Sequence, residues 1–239
     1  MEGEKEYNPM KFDLKITTKE KRQIGLLICT GFLAIFYFHG LVIQESREAL
    51  KAIQLSQFEE KNPFKNLPTL AKAVYVYDIT EGKVLYDRHS TITLPLASLT
   101  KLMTAVVALE NLRKDQIITI DDESLKQEGS IGLKSGEKWK LSDLVKVMLI
   151  ESSNDAAHAI SKSITGGTAA FIQLMNDKAK EIGLTKTVFY NESGLDQSRE
   201  KAGAYGSAED IAKLIEYIHT TYPEYITATQ NASWTVQSE

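Results

Sequence analysis

One cysteine in 239 residues rules out a disulfide framework: Cys29 has no partner within the sequence, so the fold has to rest on a packed apolar core. Histidine is almost as scarce. His89, His158 and His219 stand apart from one another at no metal-ligand spacing; each reads as a surface residue, and neither a metal nor a cofactor is implied. There is no basic run and no excess of positive charge, since 28 Lys and Arg stand against 32 Asp and Glu for a formal charge of −4. Nothing here points to nucleic acid. Charge is missing altogether from Ile24 to Ile43, and a run of that length spans the hydrocarbon core of a bilayer as a helix. Lys15, Lys19, Lys21 and Arg22 precede it, whereas Glu45, Arg47 and Glu48 follow with mixed sign. The positive-inside bias then puts residues 1–23 in the cytoplasm and everything after the single span outside the cell membrane. No Ala-x-Ala-like site follows the apolar run, and Phe36, Phe38, His39 and Leu41 are bulky. An uncleaved anchor over residues 24–43 is therefore favoured over a removed signal peptide.

Beyond the anchor, residues 44–60 keep a helical composition, with Leu50, Ile53, Gln57 and Phe58 on one weakly apolar face. Pro63 and Pro68 break it, so residues 44–70 read as stalk and linker. Residues 71–239 are long enough for one domain with its own core.

Within that domain, Ala73 to Asp78 and Lys83 to Asp87 read as two strands around Ile79-Thr80-Glu81-Gly82. Pro95 then leads into an apolar helix that starts near Ser98 and carries Lys101. Residues three apart share a helix face, so the Lys101 amine reaches the Ser98 hydroxyl and can take its proton without a histidine. A helix N-terminus also favours the negative charge that develops when such a serine attacks a carbonyl. About fifty residues on, a helix with Leu144, Val147 and Met148, expected to be capped by Ser142, runs into Ser152-Ser153-Asn154 and then an alanine-rich helix. Alone, that break is an ordinary helix–helix turn; beside Ser98 and Lys101 it places a hydroxyl and an amide where both face one cleft. Further helices are expected from Thr168, as cap, to Gly183, and from a Ser207/Asp210 capping box into Ile211–Ile215. Tyr205 reads as packing.

Six segments in order carry a resemblance: the hairpin, Ala97-Ser98-Leu99-Thr100-Lys101, Gly136-Glu137, Ser152-Ser153-Asn154-Asp155-Ala156-Ala157, Phe189 to Leu195, and Tyr205 to Asp210. Together they resemble the serine D-alanyl-D-alanine carboxypeptidases, the low-molecular-weight penicillin-binding proteins of peptidase family S11. The resemblance implies an α+β fold of the beta-lactamase/D,D-peptidase-like (transpeptidase-like) kind, a helical subdomain with an antiparallel sheet. It implies Ser98 as nucleophile, Lys101 as general base, Ser152 as proton relay to the departing D-alanine, and Asn154 as hydrogen-bond partner of Lys101 and of the substrate amide. A peptidoglycan pentapeptide ending in D-Ala-D-Ala would be the substrate, beta-lactams the covalent inhibitors, and no cofactor or metal would take part. An unperturbed lysine titrates near ~10.4, so the base has to fall by about 3 to serve at neutral pH, through desolvation or a second cation.

The family's third motif, Lys-Thr-Gly on a later strand, does not occur before Glu239. Lys186-Thr187-Val188 lacks the glycine, and Lys134-Ser135-Gly136 lies between the first two motifs. That strand would supply an oxyanion donor, worth roughly 100- to 1,000-fold in rate, and would hold the substrate carboxylate. The expectation is an amino-terminal portion of a longer enzyme. Alternatives stay open: a D,D-endopeptidase, a peptidoglycan-binding protein without catalysis, or a beta-lactamase. The last would want Asp at position 153 and a deacylating glutamate, for which Glu192 is a loose candidate.

Overall fold

In a computed structural model of the chain, which describes residues 36–53, 63–64, 67–129 and 132–230 with Thr17, Thr235 and Ser238, the apolar run after Ser98 forms α1 (Thr100–Asn111). Nine of its twelve residues are buried, Lys101 among them. A helix apolar on nearly every side has to be surrounded, and α1 is: α2 (Leu141–Ile150), α3 (Asn154–Lys162), α4 (Gly167–Glu181) and α5 (Ala208–Thr221) all pack against it. Met103, Val106, Leu144, Met148, Phe171 and Leu214 are among the side chains this sheath closes over. A short α6 (Pro223–Ala228) follows α5 and lies against α2 and α5.

The strands are short and wholly antiparallel. β1 (Val74–Asp78) and β2 (Lys83–Arg88) form the expected hairpin, with a bulge between Val76 and Tyr77. Its turn is tied by Asp78, whose Oδ1 accepts from the N–H groups of Thr80 and Glu81 at 2.9 and 3.1 Å. β3 (Leu94–Pro95), β6 (Val188–Phe189) and β7 (Ala204–Gly206) make a sheet in the order β3-β7-β6, and β4 (Ile117–Thr119) pairs with β5 (Lys138–Lys140). The chain divides into two units, Met1–Lys65 and Asn66–Glu239. In the first, residues 36–53 are helical with exposed side chains, joining the end of the expected span to the start of the expected stalk. Residues 24–35 of the span and 54–62 of the stalk lie outside the described residues. Among the described residues no helix is long and apolar enough to cross a membrane.

The helix starts show where local sequence rules yield to tertiary context. Ser142 is not the cap of α2; the cap position is Lys140, whose side chain does not cap the helix. β5 feeds directly into the helix, and the free N–H groups of Leu141 and Ser142 are taken by the carbonyls of Gln116 and Lys114 at 2.8 and 3.0 Å. Thr168 is likewise no cap: α4 starts from Gly166, and Thr168 Oγ1 pairs with Ser161 Oγ at 2.9 Å. Ser207 does cap α5, accepting from Asp210 N at 3.1 Å, but the reciprocal half of the box is absent. The buried Asp210 carboxylate instead accepts from Lys186 N at 2.7 Å and Thr187 Oγ1 at 2.8 Å, tying the segment before β6 to α5.

Asp210→Ala is therefore expected to cost about 2–3 kcal/mol, because it leaves two part-buried donors, Lys186 N and Thr187 Oγ1, without their acceptor, whereas Ser142→Ala stays within roughly 0.5 kcal/mol. Denaturant unfolding of the two variants measures the contrast.

Candidate active site

The Ser98 hydroxyl is placed by an antiparallel pair followed by a strained turn. Leu94 pairs with Gly206 and Pro95 with Tyr205, Leu96 N donates to Ala204 O at 3.0 Å, and Ala97 then takes a positive φ of 46°. This turns the chain into a 3-10 turn, Ala97–Leu99, which delivers Ser98 just ahead of α1 rather than inside its first turn. Lys101, three residues on, sends Nζ to within 3.1 Å of Ser98 Oγ. Ser98 is exposed, yet Lys101 is 2% exposed: the amine lies beneath the hydroxyl.

The second partner of that amine is a backbone oxygen. Lys101 Nζ donates to the Ser193 carbonyl at 3.0 Å. Asn191 shapes this loop, with its Oδ1 accepting from Gly194 N and its Nδ2 donating to Leu195 O, both at 2.7 Å. Thr104 Oγ1 holds the Glu192 carbonyl at 2.5 Å. Gly194 has φ 83°, and a Cβ there would stand 1.9 Å from the Ala97 carbonyl oxygen. Only glycine lets the loop lie against the turn that carries Ser98.

The opposite wall comes from the Ser-Ser-Asn break between α2 and α3. Ser152 is held at φ 55° and donates through Oγ to Ser98 Oγ at 2.9 Å. Ser153 caps α3, accepting from Ala156 N at 3.0 Å. Asn154 sits at the head of α3, but its Nδ2 donates to Glu128 O at 2.6 Å. The expected bond from Asn154 to Lys101 is not among those the lysine makes: Nζ takes Ser98 Oγ and the Ser193 carbonyl, and Asn154 Nδ2 ties α3 to the Glu128 loop. Ser98, Lys101 and Ser152 line a cleft of about 370 Å³ walled by Leu96, Leu102, Met148 and Leu149.

Burial pulls the Lys101 ammonium down to about 8, while the negative charge of Glu192 acts the other way. Keeping the cation there at neutral pH costs the fold about 3 kcal/mol relative to a lysine in water. The arrangement is a serine whose oxygen touches a desolvated amine on one side and a second hydroxyl on the other, a geometry for nucleophilic attack on a carbonyl.

The family model for D-alanyl-D-alanine carboxypeptidases, Peptidase S11, matches residues 59–239. The chain belongs to peptidase family S11. Among S11 relatives, it is 34% identical over 167 residues to the D-alanyl-D-alanine carboxypeptidase DacF of Bacillus subtilis, covering 65% of this chain and 43% of that protein. It is 37% identical over 151 residues to a D-alanyl-D-alanine endopeptidase of Haemophilus influenzae, covering 62% and 50%. The chain thus spans half or less of these relatives' length. Its fold is similar to that of the D-alanyl-D-alanine carboxypeptidase DacD from Francisella tularensis, with a TM-score of 0.63 and 33% identity over 70% of this chain and 41% of that one. It is also similar to penicillin-binding protein D2 of Listeria monocytogenes in its cefotaxime-bound form, with a TM-score of 0.62 and 31% identity over 72% and 70%.

Two further expectations within this S11 chain are corrected by the structure. His158 is not a surface residue: its side chain is 14% exposed, and Nδ1 lies 2.7 Å from Glu192 Oε1, because α3 turns that position toward the loop behind Lys101. Glu192 in turn is 4% exposed and spends its carboxylate on His158, away from any part in deacylation. His89 and His219 are exposed, as expected. The Ser193 carbonyl was invisible in the sequence, since a backbone acceptor has no residue-type signature.

Gly194→Ala is expected to lower stability by at least about 3 kcal/mol, through a clash and an unfavourable φ together, as read by thermal unfolding. Stability should also depend on pH through Lys101. Its folded value lies below the unfolded one, so the unfolded chain binds more protons between about 8 and 10.5, and stability rises with pH across that window. The same titration of Lys101→Met should lack this increment.

Proposed function

We propose that the full-length protein is a serine-type D-Ala-D-Ala carboxypeptidase acting on peptidoglycan stem peptides, anchored in the cell membrane with its catalytic domain outside. The observation that carries the catalytic reading is the buried Lys101 amine 3.1 Å from Ser98 Oγ, with Ser152 Oγ 2.9 Å away on the same oxygen. Family membership supplies the substrate class, and the charge-free run from Ile24 to Ile43 supports the anchor.

In this mechanism neutral Lys101 takes the Ser98 proton as Oγ attacks the carbonyl between the last two D-alanines. The new C–O bond leaves a negative oxygen facing the N–H groups at the head of α1. Ser152, already bonded to Ser98 Oγ, relays the proton from Lys101 to the amine of the departing D-alanine as the C–N bond breaks, which returns Lys101 to its neutral form. Water, deprotonated by the same lysine, then hydrolyses the Ser98 ester and frees the enzyme. Glu192 and Ser153 do not offer the carboxylates that a beta-lactamase of this fold would use, so turnover of beta-lactams is expected to be slow and acylation to persist. The binding of cefotaxime and of ampicillin by the Listeria relative supports acylation of Ser98 by such compounds.

A D,D-endopeptidase is the second reading, favoured by the 37% identity to the Haemophilus enzyme of that name; the chemistry at Ser98 is the same, and the substrate differs.

The test is intact-mass spectrometry of the full-length protein with benzylpenicillin. One penicilloyl adduct is expected, absent in Ser98→Ala and slowed by at least about 1,000-fold in Lys101→Met, since nucleophile and base act as a unit. The adduct rate should rise with pH toward about 8, because only the neutral amine accepts the proton. Release of D-alanine from a pentapeptide, against cleavage of a cross-linked dimer, assigns the substrate. An adduct that survives in Ser98→Ala would defeat the mechanism.

A further inference from the structure

Behind the catalytic lysine lies a second set of buried ionisable groups that the mechanism above does not use. Glu192 is 4% exposed and its Oε1 meets His158 Nδ1 at 2.7 Å. The same residue's carbonyl is held by Thr104 of α1, and the next carbonyl, that of Ser193, accepts from Lys101 Nζ. His158 is four residues beyond Asn154 on α3, and so shares its face. One carboxylate therefore links the helix that carries Asn154 to the loop that holds the lysine. We propose that Glu192 and His158 are positioning residues for the reaction: the pair fixes the Ser193 carbonyl on Lys101 and sets, through the charge that His158 leaves uncompensated on Glu192, how readily Lys101 gives up its proton.

The electrostatics run in that direction. The Glu192 charge holds the Lys101 proton more tightly, against the effect of burial. A hydrogen bond to the Glu192 carboxylate holds His158 above the usual histidine range, against its own burial. A proton on His158 offsets the Glu192 charge that acts on Lys101; without it that charge acts in full. Other charges face His158. Glu123, beside the turn after β4, lies with Oε1 at 4.0 Å from Nε2, and Lys162 on α3 is bonded to Glu123 and, at 2.5 Å, to Asp121. Glu123 adds to the upward shift of His158 and Lys162 opposes it, so these outer charges partly cancel and leave Glu192 as the main control.

The inference rests on Lys101 being the base, but its test does not need turnover. The full-length protein labelled with 13C at lysine Cε gives the Lys101 midpoint directly by NMR, with the signal assigned from Lys101→Arg. Glu192→Gln removes the charge and keeps the shape, so the midpoint should fall by at least about half a pH unit, roughly a threefold change in neutral amine. His158→Gln removes the imidazole that offsets the Glu192 charge, and the midpoint should rise. Opposite shifts from the two halves of one contact are what a purely structural role would not produce. The pH limb of penicillin acylation should follow the NMR midpoints. If Glu192→Gln does not fold, the rise in His158→Gln alone decides. Midpoints unmoved, or moved the same way in both variants, overturn the proposal even where acylation proceeds. Midpoints that move as stated in a protein that penicillin never acylates uphold it and remove the carboxypeptidase reading instead.

Discussion

An amine kept out of water beneath an exposed hydroxyl is the constraint around which the catalytic unit is arranged. Lys101 cannot be buried unless its N–H groups find acceptors, and Ser98 Oγ and the Ser193 carbonyl provide two. To bring that carbonyl within reach, the loop after β6 has to lie against the turn before α1, which requires glycine at position 194. To leave the hydroxyl open, the chain has to turn sharply at Ala97 and again at Ser152, both with positive φ, each at about 1–3 kcal/mol of strain. The sheath of helices around α1 provides the burial that supports this expense.

The sequence made most of the fold legible because its strongest signals are local. The hairpin turn is written in Asp78 and Gly82, and the burial of α1 in an apolar run from Leu102 to Leu109. Ser98, Lys101 and Ser152 were found because the geometry of a helix and a helix break brings such residues together. What escaped depends on distant partners. Ser142 and Thr168 look like caps, yet the N–H groups near them are met by a neighbouring strand segment or the chain before the helix. Asn154 looks like a partner of Lys101 until the Glu128 carbonyl, twenty-six positions away in sequence, claims its amide. His158 looks like a lone surface histidine because nothing in its own helix announces Glu192.

Several positions that break a local rule gather at the cleft, while several that satisfy one serve only the fold. Ser207 and Asp78 act within a few residues and serve only the fold. Ala97, Ser152, Lys101 and Glu192 each violate a local preference, in backbone angle or in burial of charge, and all four lie at or just behind the cleft. Local conflict of this kind is what a site under functional constraint is expected to show.

Helix α3 carries Asn154, His158 and Lys162 at steps of four, each bonded to a different part of the chain: the Glu128 loop, Glu192, and the Asp121 and Glu123 turn. Over those eight residues the attachment points drift by only about 80° around the axis. The helix is in effect a ruler with three marks, and one residue inserted between them would rotate every later mark by about 100°. Evolution can therefore exchange side chains along this segment far more freely than it can alter its length.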